Sequence, residues 1–95
     1  MPRRTSVGFR DHAEPPIVTA LERCGWQVTR ISVEDWPDLH CGKPGRSIWL
    51  EVKTGKRQQS KDQRDQSDRM RTYGMDVRVV RSVDQALFEL EGVTQ

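Results

Sequence analysis

The sequence predicts a small α/β domain, a mixed sheet flanked by helices on both faces, with the element order α-β-β-α-β-α. Three observations carry that expectation. Ser47 to Thr54 alternates like a half-buried strand, with Ile48, Leu50 and Val52 on one side and Trp49, Glu51 and Lys53 on the other. Residues 58–73 contain neither proline nor glycine and lie between two β-rich segments, which is the pattern of a helical crossover joining parallel strands. Ile17, Leu21 and Cys24 recur at helical spacing ahead of Gly25.

Taken in order, residues 1–11 hold Arg3, Arg4 and Arg10 without periodicity and read as a flexible basic arm, leaving one domain over 12–95. Pro15-Pro16 suits a helix start, because proline lacks only an N–H that has no partner in the first turn. The first helix runs from about 15 to 24 and stops at Gly25. Residues 26–33 are β-rich and bounded by Gly25 and Glu34-Asp35, so they form a strand. Residues 35–46 contain two prolines and two glycines and read as a connection, making 26–33 and 47–54 a hairpin with a long loop. On the helix 58–73, Gln63, Gln66, Met70 and Tyr73 share the sheet-facing side; Arg57, Lys61, Arg64 and Arg71 share the other. Met75 to Arg81 is a valine-rich strand. Residues 83–90 close the chain with a short helix whose Ala86, Leu87 and Leu90 face inward.

Composition narrows the class. With 95 residues, 34% hydrophobic and 32% charged, and a mean hydropathy of -0.81, the chain has thin material for a core. A partner subunit or ligand is therefore expected to stabilise it. No stretch approaches the roughly 20 apolar residues of a membrane span. Met1-Pro2-Arg3-Arg4 leads into polar residues rather than a secretory h-region. Two cysteines make no disulfide framework, so the expected setting is a reducing cytoplasm. Net charge is only +2, yet residues 53–71 carry seven cations against three acids, which leaves the rest of the chain net negative. That concentration is what a phosphate-binding surface needs.

Glu51-Val52-Lys53 projects a carboxylate and an ammonium side by side from one strand face. Pro37-Asp38 lies just upstream, and Glu14 sits on the inward side of the first helix. Asp38 and Glu51, converging at one end of the hairpin, would bind one or two Mg²⁺ ions through oxygen, with Glu14 as a further ligand. Lys53 would orient or activate water and stabilise charge on a phosphate, and Gln63 would hold the same water or a phosphate oxygen. This is apparatus for metal-assisted hydrolysis of a phosphodiester.

Pro37-Asp38, a twelve-residue gap and Glu51-Val52-Lys53 resemble the PD-(D/E)XK nuclease signature. Ser60-Lys61-Asp62-Gln63, Gly74 and Val79-Val80-Arg81-Ser82 resemble its VRR-NUC branch, and Glu14 falls where that branch has a first-helix glutamate. The resemblance spans roughly residues 14–88. It implies a restriction-endonuclease-like α/β/α sandwich, Mg²⁺ or Mn²⁺ dependence, and DNA as substrate. Asp38, Glu51, Lys53 and Gln63 would be the catalytic set, and Glu14, Asp38, Glu51 and Val52 the metal ligands. Stand-alone members are similar to homodimeric Holliday-junction resolvases, whereas fused ones act on flaps. Trp36 stands where relatives more usually have glycine.

Each feature also has a plainer reading. Glu51 and Lys53 alone are a surface ion pair on a solvated strand; joined by Asp38 and Gln63 they become a site. Glu14 alone is a poor helix N-cap. The basic helix stripe is a solvated face pointing away from the sheet, so Lys56 and Arg57, with Lys61, are the better phosphate contacts, and Arg3 and Arg4 add a flexible electrostatic one. His12, Cys24, His40 and Cys41 match no closed zinc pattern, although His40 borders the site. Trp26, Trp36 and Trp49 read as core or dimer contacts rather than stacking platforms. The resulting expectation is a metal-dependent endonuclease selective for branched DNA, a dimeric Holliday-junction resolvase. Membranes and small molecules are not among the expected partners. Its rivals are a flap, nick or duplex nuclease of the same mechanism and a non-catalytic DNA-binding subunit.

Overall fold

The computed structural model describes residues 11–92, so the basic arm, including Arg3 and Arg4, falls outside the described residues except at its last position. The elements are α1 (Glu14–Arg23), β1 (Gln27–Arg30), β2 (Leu39–Lys43), β3 (Arg46–Val52), α2 (Lys61–Thr72), β4 (Asp76–Val80) and α3 (Val83–Glu91). One sheet runs in the order β1-β2-β3-β4; its first three strands are antiparallel and β3 and β4 are parallel. The α/β architecture expected from the sequence is thus present, with one strand more.

That strand, β2, lies inside the segment read as a connection. Its sequence Leu39-His40-Cys41-Gly42-Lys43 has no β-branched residue and sits among turn formers, so local propensity is silent. Its neighbours decide its structure, because it pairs with β1 on one side and β3 on the other. The predicted partners β1 and β3 are therefore separated by β2. Pro44-Gly45 makes the tight turn into β3; Gly45 has φ +78, a conformation at which a side chain would be strained.

The helices begin and end as their caps dictate. Pro15 and Pro16 occupy the first turn of α1, and Gly25, at φ +93, carries the chain out of it. α2 starts later than its composition predicts because Ser60 and Gln63 close a capping box there, the Ser60 hydroxyl accepting from the Gln63 N–H and the Gln63 amide oxygen from the Ser60 N–H. α3 is capped by Ser82 and terminated by Gly92 in the left-handed conformation.

α1 and α3 lie on one face of the sheet. Ile17, Val18, Leu21, Ala86 and Leu90 from these helices pack on Leu39, Cys41, Ile48, Leu50, Val52 and Val80. Each fully buried aliphatic side chain contributes about 1.5–3 kcal/mol, so this layer holds the fold. α2 packs on β4, on the other face. There Ser67 and Met70 are its buried residues and Val77 is the buried strand residue; Tyr73, expected on that inward side, is 77% exposed. Trp26 belongs to the main core, with its indole N–H donating to Glu91 at 2.6 Å. Lys43 also binds Glu91, and Arg46 donates to the Leu90 carbonyl, so the β2–β3 turn is tied to the end of α3. Asp11, assigned to the arm by sequence, is buried: its carboxylate accepts from the Thr54 N–H at 2.9 Å. Among the described residues no helix is long and apolar enough to cross a membrane.

Candidate active site

The antiparallel register of β2 and β3 builds the site as two adjacent rungs on one sheet face. His40 pairs with Trp49 and Leu39 with Leu50, and continuing that register one step further sets Asp38 opposite Glu51. Alternation along each strand puts both rungs on the same face. The two carboxylates thus meet from positions 13 residues apart in the chain.

Each is held differently. Asp38 Oδ2 accepts from the Val52 N–H at 2.8 Å, which locks the loop end against β3. Glu51 is 1% exposed. Its Oε2 lies 3.1 Å from Lys53 Nζ, and Lys53 is itself buried. The other oxygen, Oε1, is buried without a hydrogen-bond partner among the described residues. Burial chiefly, with the negative charge of Asp38 adding to it, pushes the Glu51 carboxyl up to about 7; the Lys53 ammonium and then Arg57 oppose that rise. A buried carboxylate oxygen with nothing to bind costs free energy that a cation would recover, so Glu51 and Asp38 fit a divalent ion. Val52 can contribute through its carbonyl, which leaves the strand on the same side as the N–H bound to Asp38.

The other expected site residues are distributed as follows. Glu14 is 2% exposed, as its inward position predicts, and its Oε2 accepts from Arg30 Nε at 3.0 Å. No group of three His, Cys, Asp or Glu side chains placed to hold a metal occurs among the described residues; Asp38 and Glu51 are close enough for the charge of one to act on the other. Cys41 is buried, and burial pushes its thiol up to about 12. Gln63 uses its amide oxygen in the α2 capping box rather than presenting it to the site. Lys61 pairs with Asp65 on the exposed face of α2. Lys56 and Arg57 lie exposed in the segment after β3. Arg3 and Arg4 are outside the described residues.

Two residues absent from the sequence-derived site shape that segment. Asp11 accepts from the Thr54 N–H and lies 3.5 Å from Arg57, and Arg81 donates to the carbonyls of Gly55 and Arg57. The loop carrying Lys56 and Arg57 is therefore clamped from both sides. Arg81 lies in the Val79–Ser82 motif and was legible as a motif residue. Asp11 had no signal beyond an acid just ahead of a helix.

A mixed sheet with two helices on one face, a third on the other, and a carboxylate pair beside a lysine defines the class: a nuclease-fold α/β domain. The comparison with solved structures specifies it further. The chain is similar to a structure described as a VRR_NUC domain, with a TM-score of 0.69 and 27% identity, covering 84% of this chain and 98% of that one. This chain has the VRR-NUC fold. No protein-family model matches the sequence, and no curated protein matches it.

Proposed function

We propose that the protein is a divalent-metal-dependent DNA endonuclease selective for branched DNA, a Holliday-junction resolvase working as a homodimer. The observation that carries this reading is the buried Glu51 carboxylate, one oxygen on Lys53 and the other without a partner, facing Asp38 across the β2–β3 ladder. Asp38, Glu51 and the Val52 carbonyl would hold Mg²⁺ or Mn²⁺, with Glu14 as a further candidate. When bound, the ion supplies a Lewis acid that polarises a phosphodiester and acidifies water. Lys53, held by Glu51, orients the attacking water and offsets the negative charge that grows on the phosphate. Lys56 and Arg57, on the clamped loop, set the DNA backbone against the carboxylates, with Lys61, Arg3 and Arg4 as additional phosphate contacts. Two symmetric cuts across a four-way junction need two sites, which a C2 dimer supplies, and the small apolar content favours a partner surface.

The test is one gel assay in which labelled four-way junction and linear duplex are mixed with Mg²⁺ or Mn²⁺, with EDTA as control. Paired symmetric cuts in the junction alone are expected. Cutting of both DNAs would retain the chemistry and replace the junction preference with flap, nick or duplex cleavage. No cutting with either metal would leave a DNA-binding subunit on a nuclease fold. Glu51→Ala and Lys53→Ala are expected to abolish cleavage while retaining DNA binding; full activity in both refutes the assignment.

A further inference from the structure

Beside the carboxylate rung stands an aromatic one. Trp36 packs edge-on to Trp49, with ring centroids 5.5 Å apart and planes at 67°. The His40 ring centroid lies 4.7 Å from that of Trp49, the rings tilted by 59°. The imidazole is fixed by the contact of its Nε2 with Ser47 Oγ at 2.7 Å. Trp36 is delivered by Asp35, which takes the left-handed conformation at φ 69 and turns the chain into Trp36-Pro37-Asp38. The sequence reading treated these tryptophans as core or dimer contacts. Trp26 is core, but Trp36 and Trp49 stand outside the main cluster and all three rings are half-buried. Two indoles left partly in water on a face otherwise thin in apolar residues are a binding surface more than a core.

We propose that Trp36, Trp49 and His40 form a stacking subsite for an unpaired nucleotide base of the DNA held at Glu51 and Asp38. The inference rests on the nuclease reading and deepens it by naming a feature that adds affinity: a base freed from the duplex stack, as at a branch point that opens or at a gap. The geometry supports it in two ways. Trp49 precedes Glu51 by two strand residues, a step of about 6.6 Å along the sheet. That distance is within the reach of a nucleotide next to a phosphate held at the carboxylates, so an unpaired strand seated there can lay a neighbouring base over the rings. A base inside a duplex is stacked on both faces and has none to give, whereas an unpaired one presents a π-face to any aromatic platform. The same site would then prefer DNA that contains unstacked nucleotides next to the cut.

Fluorescence anisotropy in EDTA, which leaves the DNA uncut, separates this from the chemistry. The probes are a labelled duplex and the same duplex carrying a short single-stranded gap. The wild type is expected to bind the gapped DNA more tightly. Trp36→Ala should lose about tenfold in affinity for the gapped DNA and little for the duplex, the size of one lost base–aromatic stack. Trp36→Phe should recover most of the loss, while Trp36→Leu, which keeps apolar bulk and packing but has no π-face, should not. Equal affinity of the wild type for both DNAs, equal losses on both, or full recovery by Trp36→Leu overturns the subsite. Failure of the wild type to bind either DNA in EDTA, and again with Ca²⁺ in place of Mg²⁺, removes the nuclease reading, and the subsite with it.

Discussion

Replacing Glu51 with glutamine should make the metal-free protein more stable at alkaline pH and leave it almost unchanged at acid pH. The carboxyl of Glu51 is raised from 4.5 to about 7 in the folded protein, chiefly because it is buried. Below 4.5 it is protonated in both the folded and the unfolded chain, and pH has no leverage. Between 4.5 and about 7 the unfolded chain gives up the proton first, so stability falls as pH rises; above about 7 the loss is complete. Two and a half decades of proton affinity at about 1.4 kcal/mol each amount to about 3 kcal/mol. The glutamine keeps the shape and carries no charge at any of these pH values. Urea unfolding of wild type and Glu51→Gln in EDTA, at pH 4 and pH 8, isolates the effect, because other groups titrate in both proteins and cancel in the difference. The stability gap should open by about 3 kcal/mol in favour of the variant between the two values. Mg²⁺ at pH 8 should then raise the wild type more than the variant, since the glutamine amide keeps an oxygen but brings the ion no negative charge beside Asp38. A gap that stays constant with pH would refute a buried carboxylate whose second oxygen has no partner, and with it the argument that the site is built for a cation.

Other expectations follow from single contacts. Asp38→Asn removes a charge that raises Glu51, so the Glu51 carboxyl should titrate at lower pH, seen by carbon-13 NMR of its side chain. Gln63→Ala should cost about 1 kcal/mol of stability by opening the α2 capping box, and a cleavage rate unchanged per folded molecule would show that capping is its role; a large fall in rate would restore it to the catalytic set. Leu50→Ala, in the centre of the sheet, should cost about 2–5 kcal/mol in denaturant titration. Cys41, buried with its thiol pushed up to about 12, should resist iodoacetamide at pH 8 in the folded protein and react once it is unfolded in urea.

Much of the fold was legible in the chain because its signals are local. The Ile48-Leu50-Val52 alternation, the Ile17 and Leu21 stripe and the glycines at 25 and 74 act within a few residues, and the structure follows them. The polar crossover helix was also legible, although its first turn was set by the Ser60–Gln63 cap rather than by composition. Gln63 shows the limit of wheel reasoning at a helix start. A glutamine at the third helical position can face the sheet or fold back on the backbone, and the nearby N–H of Ser60 took it.

The sequence by itself determined the residue types of the candidate site, their order and the strand face that Glu51 and Lys53 share. Tertiary structure decided that Asp38 meets Glu51, because β2 lacks strand propensity and forms only when β1 and β3 are present to pair with it. It decided that Glu14 meets Arg30, that Asp11 and Arg81 clamp the loop after β3, and that Trp36 folds onto Trp49. The burial that lifts the Glu51 carboxyl and leaves Oε1 without a partner is likewise a property of the packed molecule. Periodicity and capping are energies between near neighbours in the chain. Desolvation and carboxylate repulsion depend on what lies nearby in space, and here those groups come from distant positions.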